Sequence, residues 1–263
     1  RRAPWFVVLQ AVLEPIAATC ASTVVFLRAA RLGKVVLHIG LAMVQGARHE
    51  HGEALEVAAA QLNQAVTVHP LRTAEDVTGS LDALVLPGGE STTMRLATAS
   101  GGLLEALFTW MESYPDRPVL GTCAGAILMA MPGEGRAPFL EVDVQRNGWG
   151  RQRRSFEADV NVNLDCPAPS TSSKGARSTL EGHTALPVGG KETSSEAMHG
   201  VFIRAPRFTD EPRRGEVIAR LEGEPVGVLD GAWLALTCHP ELTQDRRFHR
   251  WLLAQAASAK GGR

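Results

Sequence analysis

The sequence predicts a doubly wound α/β fold, a mostly parallel sheet flanked by helices with a few antiparallel strands, on three observations. Short apolar runs at 35–44, 65–71, 81–86, 118–121 and 232–238 have the length of buried strands. Helical periodicity separates several of them, at 50–62 and 103–111. Turns rich in glycine or proline (Gln45-Gly46, Pro87-Gly88-Gly89 and Gly121-Thr122-Cys123-Ala124-Gly125) stop the strands abruptly. Strand, helix and strand in succession make the parallel β-α unit, whose crossovers lay helices on the sheet faces.

Each element follows in order. The run at 35–44 is a buried first strand ending at Gln45-Gly46, and 50–62 sets Ala54, Leu55, Ala58, Ala59 and Leu62 on one helical face. Residues 65–71 form a second strand and 81–86 a third, stopped at Pro87. After the helix at 103–111, the strand at 118–121 runs directly into the turn at Cys123. Regular structure resumes at 200–203, and the runs at 216–221 and 225–229 form a hairpin around Gly223. The last strand, 232–238, ends at His239-Pro240-Glu241, and 248–257 is helical. In open parallel sheets ligands bind at the carboxyl ends of strands, which is where the turns at 87–89 and 123 both fall.

Two segments stand apart from that pattern. Residues 167–198, with Pro-Ala-Pro-Ser-Thr-Ser-Ser and almost no large apolar side chains, are expected to form a mobile surface insertion. Residues 1–34 are a leader of another character: 5–27 is nearly all apolar, but Glu14 and Pro15 fall near its middle, and Arg1, Arg2, Arg28 and Arg31 flank it. An artefact of the gene start, a targeting segment and a membrane anchor are its three readings. The main domain is expected to span 35–258.

Composition narrows the function. A net charge of −1, 44% hydrophobic and 21% charged residues describe a globular protein with no field that draws it to nucleic acid or an anionic membrane. Cys20, Cys123, Cys166 and Cys238 form no CxxC pair and no zinc-ligand cluster, which argues against a structural metal and a disulfide scaffold. A reducing, cytoplasmic setting that keeps a thiol free is the expectation.

Three motifs can carry chemistry. Gly121-Thr122-Cys123-Ala124-Gly125 is the thiol counterpart of a nucleophile elbow, in which small neighbours allow a strained strand-to-helix turn. The helix N-terminus behind Cys123 favours negative charge on sulfur and offers N–H groups to an oxyanion. The plain alternative is an inert buried cysteine at a tight junction. In Cys238-His239-Pro240-Glu241, extended alternation sends His239 and Glu241 to one side, so the carboxylate can orient the imidazole. Pro87-Gly88-Gly89-Glu90-Ser91-Thr92 combines close backbone approach with side chains able to cap the next helix, and it lacks the lysine of a phosphate loop.

Taken together, these motifs resemble the triad-type glutamine amidotransferases, and among them the glutaminase subunits of pyridoxal 5′-phosphate synthase. The resemblance runs through Val44-Gln45-Gly46, PGGESTTM (87–94), GTCAG (121–125), Arg146-Asn147, SFEAD (155–159), GVFIRAP (200–206) and HPELT (239–243), covering about 36–251. It implies the flavodoxin-like amidotransferase fold, and glutamine hydrolysis with Cys123 as nucleophile, His239 as general base and acid, and Glu241 as orienting carboxylate. It further implies that Gly89, Glu90, Ser91, Arg146, Ile203 and Arg204 hold glutamine, with the N–H groups of Gly89 and Ala124 as the oxyanion hole. No metal or organic cofactor is needed, and the implied partner is the synthase (lyase) subunit that receives the ammonia. The rival readings are a triad amidotransferase of another pathway, such as histidine biosynthesis, and a catalytically silent synthase-binding subunit. Departures from the family pattern are Gly148-Trp149, a shorter 130–141 and a longer 167–198.

Overall fold

In a computed structural model of the chain, which describes residues 35–149, 155–170 and 196–262, the apolar runs become strands in the expected order. Strand β1 (Leu37–Ala42) leads through helix α1 (Arg48–Gln61) to β2 (Val66–Leu71). Strand β3 (Ala83–Leu86) precedes helices α2 (Ser91–Thr98) and α3 (Leu103–Ser113), then β4 (Val119–Thr122) and α4 (Ala124–Ala130). There follow β5 (Val144–Gln145), β6 (Ser155–Val162), β7 (Ala197–Ile203) and β8 (Arg207–Phe208). The hairpin β9 (Glu216–Leu221) and β10 (Glu224–Asp230), strand β11 (Trp233–Leu236) and helix α5 (Arg247–Gly261) complete the chain. Residues from Val36 onward form a unit of their own.

Among the described residues the strands form one nine-stranded sheet in the order β2-β1-β3-β4-β11-β10-β9-β6-β7, with β5 and β8 as a separate pair. The first five strands are mutually parallel and the last four join antiparallel. The parallel half therefore has the flavodoxin-like order, whose switch point lies between β1 and β3. Loops leaving β1 and β3 diverge there and open a crevice.

The two faces of the parallel half alternate residue by residue. Ala83 and Val85 of β3 and Leu120 of β4 join Leu55 and Ala58 of α1 and Phe248, Trp251 and Leu252 of α5 in one core. Leu84 and Leu86 of β3 and Val119 of β4 join Met94 of α2, Phe108 of α3 and Leu128 and Met129 of α4 in the other. All four residues of β3 and of β4 are buried, the signature of strands covered on both faces. Burial of each such Leu, Val or Phe contributes about 1.5–3 kcal/mol.

Strand β6 is the longest strand the sequence does not predict, beside the two-residue strands β5 and β8. Its burial alternates between exposed and covered positions along Ser-Phe-Glu-Ala-Asp-Val-Asn-Val, so half its residues are polar and the apolar run is missing. Ala197 and Met198, placed in the insertion by the sequence reading, belong to β7, where Met198 is buried in the core. At the other margin, Pro167 accepts a hydrogen bond from Arg250 Nε, and the Ser170 backbone N–H donates to Gln61 O. Residues 171–195, like the 1–34 leader, lie outside the described residues. Among the described residues no helix is long and apolar enough to cross a membrane.

Candidate active site

Cys123 occupies the one-residue joint between β4 and α4 with φ 48° and ψ −104°, a left-handed backbone conformation that L-residues adopt only under constraint. Two hydrogen bonds supply the constraint: its N–H donates to Leu236 O of β11 at 2.8 Å, and its carbonyl accepts from Ile127 N at 3.2 Å. Glycine is required two residues later. A Cβ on Gly125 would lie 2.0 Å from the Leu86 carbonyl oxygen, so only glycine lets α4 start so close to β3. The elbow expected from the sequence is therefore present, with Cys123 4% exposed.

His239 and Glu241 come from the end of β11. The His239 N–H donates to Val201 O at 2.8 Å, and a 3-10 turn over Pro240–Leu242 brings Glu241 back under the imidazole. Glu241 Oε1 lies 2.7 Å from His239 Nδ1, and both residues are buried. The ring also interacts with the Cys123 side chain, whose Sγ lies 3.9 Å from Ile203 O. Burial disfavours an imidazolium here, yet the Glu241 charge, the hydrogen bond that Glu241 accepts and the interaction with Cys123 together hold the His239 pKa up at about 10. Burial likewise raises the Glu241 carboxyl, but His51 and His239 facing it reverse the sign and hold it below the usual carboxylate value.

The Pro87-Gly88-Gly89 turn after β3 closes over this group. A Cβ on Gly88 would meet His239 Cε1 at 2.4 Å and Cys123 Cβ at 3.3 Å, so a bare backbone is needed directly against the thiol and the imidazole. Glu90 caps α2: its carboxylate accepts from Thr92 N at 3.0 Å and from Thr93 N and Thr93 Oγ1 at 2.7 Å. Hydrogen bonding to the Thr93 hydroxyl, followed by the two backbone N–H groups, lowers its pKa to about 2. Glu90 thus reaches the pocket with its carboxylate already engaged by the helix.

In front of Cys123 lies a cavity of about 360 Å³ lined by Gly89, Glu90, Ser91, Arg146, Ile203 and Arg204, among others, with His239 at its wall. The sequence-predicted residues therefore converge, with two exceptions of position. Glu241 stands behind His239, and Ala124 is buried at the first position of α4, where a helix leaves its N–H without an intrahelical partner. Strain concentrates here too. Of the five non-glycine residues with positive φ among the described residues, Cys123, Asn147 and Arg204 line this cavity. Arg146 Nη1 donates to Thr92 Oγ1 at 3.1 Å, and Trp149 Nε1 donates to Pro206 O at 3.1 Å. Trp149 also packs edge-on against Phe156 and Phe202, so Gly148-Trp149 ties the Arg146 turn to the segment that carries Arg204.

Two residues at the site had no role in the sequence reading. Gln45 lines the cavity and its Oε1 accepts from Glu90 N at 3.0 Å; its place directly after a buried parallel strand was the available signal. His51, fully buried in the first turns of α1, contacts Glu241 Oε2 at 3.3 Å. A search for an apolar helix face passes over it. Among the described residues no group of three or more His, Cys, Asp or Glu side chains could hold a metal ion.

The sequence model of the SNO glutamine amidotransferase family matches residues 40–171 and 188–258. The chain belongs to that family. It is also similar to proteins named pyridoxal 5′-phosphate synthase subunit PdxT. One, from Halalkalibacterium halodurans, is 35% identical over 229 residues, covering 86% of this chain and 97% of its own. Another, from Geobacillus thermodenitrificans, is 36% identical over 228 residues, covering 85% and 97%. A crystal structure of a glutamine amidotransferase, 35% identical, superposes with a TM-score of 0.61 over 83% of this chain and 98% of that one. Membership in this amidotransferase family makes the elbow, the imidazole and the buried carboxylate a glutaminase site to be tested residue by residue.

Proposed function

We propose that the chain hydrolyses L-glutamine to L-glutamate and ammonia through Cys123, His239 and Glu241, and delivers the ammonia to a pyridoxal 5′-phosphate synthase (lyase) subunit. The observation that carries the catalytic reading is the buried line from Cys123 through His239 to Glu241 at the wall of the cavity. The partner is inferred from the relatives named as subunits of that synthase.

The chemistry follows from the geometry. Cys123 first gives its proton to His239, and the resulting thiolate Sγ attacks the side-chain amide carbon of glutamine. The Glu241 carboxylate favours the imidazolium that results, in keeping with the raised His239 pKa. The tetrahedral oxyanion faces the N–H groups of Gly89 and Ala124. As the C–N bond breaks, the imidazolium protonates the nitrogen and ammonia leaves. Water then attacks the γ-glutamyl thioester, giving its proton to His239, and the C–S bond breaks to release glutamate and the thiol. Arg146 and Arg204 supply guanidinium groups for the substrate α-carboxylate, with Ser91 and the backbone of Gly89, Glu90 and Ile203 completing the cradle.

A glutamine-like diazoketone tests the assignment directly. Mass spectrometry is expected to find one adduct on Cys123, protected by excess glutamine. Labelling at another residue, or equal labelling of Cys123→Ala, would overturn it.

A further inference from the structure

Behind the proposed triad a second set of buried side chains continues the line away from the cavity. His51 Nε2 lies 3.0 Å from Thr122 Oγ1, in the elbow, and 3.3 Å from Glu241 Oε2, in the loop after β11. His51 Nδ1 lies 3.0 Å from His249 Nε2, whose ring comes from α5. His51, His249 and Thr122 have no exposed surface, and Glu241 has 2%. Glu241 Oε2 makes no hydrogen bond of good geometry, so what faces that oxygen is the His51 nitrogen.

One proton arrangement suits these contacts. His249 Nδ1 is buried without a hydrogen-bond partner. If His51 donated from Nδ1, His249 would need its proton on Nδ1, stranding a buried N–H, and a bare His51 Nε2 lone pair would face the Glu241 carboxylate. The reverse arrangement has His249 Nε2–H donating to His51 Nδ1 and His51 Nε2–H directed at Thr122 Oγ1 and Glu241. It leaves a bare acceptor at the far end and sets an N–H, rather than a lone pair, 3.3 Å from Glu241 Oε2. Both rings stay neutral in it. Burial lowers the His51 value most, against the pull of Glu241 and Glu50, and His239 and Arg246 lower it further. Burial also holds His249 well below its usual value, with His51, Arg246 and Arg250 adding.

We propose that His51, oriented by His249, is a positioning residue that holds the rear oxygen of Glu241 and locks the Glu241 loop to the Cys123 elbow through Thr122. The proposal rests on the glutaminase reading for its role in turnover, and the hydrogen-bond chain is independent of it. A ring tethered to α1 and α5 fixes the carboxylate that in turn fixes His239, much as outer-shell partners orient the groups that touch substrate.

His51→Leu and His51→Gln, the latter keeping an N–H near the Nε2 position, are assayed for glutamate release in the complex with a synthase (lyase) subunit. His51→Leu is expected to lower kcat about tenfold to a hundredfold with KM nearly unchanged. Its acid limb should move to higher pH, because Glu241 without that N–H takes up its proton more readily. His51→Gln should recover most of both. Wild-type kcat and pH profile in a folded His51→Leu protein, or equal loss in His51→Gln, would overturn the proposal. Should His51→Leu not fold, His249→Leu takes its place, with a smaller loss in the same direction expected and no loss counting against the idea. If the unaltered protein releases no more glutamate than Cys123→Ala, the glutaminase reading fails by itself. The pH dependence of Cys123 alkylation by iodoacetamide then decides: a profile displaced in His51→Leu and restored in His51→Gln supports the chain, and an unchanged one contradicts it.

Discussion

The two halves of the sheet divide the labour of the site. Strands β1, β3, β4 and β11 of the parallel half end in the turns that carry Gln45, Gly89, Cys123, His239 and Glu241. Strand β7 of the antiparallel half and the ribbon strand β5 lead instead to Ile203, Arg204 and Arg146. Burial separates the groups: Cys123 is 4% exposed and Ile203 41%, and both Arg146 and Arg204 are exposed. Covalent chemistry needs atoms held to a fraction of an ångström, which strands covered on both faces provide. Recognition of a charged, mobile substrate tolerates a wetter and looser margin. Cys123 and His239 thus sit on the covered half of the sheet, and Arg146 and Arg204, the proposed substrate clamp, on the exposed margin.

The largest effect is expected at His239. His239→Ala, which leaves the clamp intact, is expected to lower kcat by about 10⁴-fold with KM for glutamine little changed, as measured by steady-state glutamate release. Next comes the packing of the covered half. Gly125→Ala forces a methyl into the Leu86 carbonyl, and urea unfolding is expected to show a loss of roughly 3 kcal/mol, with activity falling in step. A smaller effect awaits in the other half. Arg146→Ala or Arg204→Ala should raise KM about tenfold with kcat within a few-fold, since a charge-assisted bond is lost while the thiol stays aligned. Equal effects on kcat from both halves would remove the distinction.

The smallest expected effect concerns the α2 cap. The Glu90 pKa is depressed in the folded protein, so its stabilisation is present above the ordinary value near 4.5 and fades as the pH falls toward about 2. Glu90→Gln should therefore melt lower than the unaltered protein at neutral pH, and the gap should close across that acid window. A gap independent of pH would mean that the carboxylate charge contributes nothing.

The same division governs what the sequence discloses. Strands β3 and β4 are legible because double-sided burial leaves uninterrupted apolar runs, and the turns that follow carry the glycines their close approaches demand. The elbow and the pairing of His239 with Glu241 were therefore readable as residues and as geometry. Strand β6 was not, because one solvated face fills it with Glu157, Asp159 and Asn161. His51 and Gln45 escaped for a different reason. Each works through a contact with a residue far away in the chain, and no local pattern records a distance to Glu241 or Glu90. The engagement of the Glu90 carboxylate with Thr92 and Thr93 was foreshadowed by the capping order Glu-Ser-Thr-Thr, although its consequence for the pocket was not.

The central claim is that this thiol hydrolyses glutamine. The most direct measurement is glutamate release from L-glutamine by the chain mixed with a pyridoxal 5′-phosphate synthase (lyase) subunit, beside the same mixture with Cys123→Ala. Steady release is expected from the unaltered protein and none above background from the variant. Equal release from the two, or none from either while both bind the partner, would contradict it.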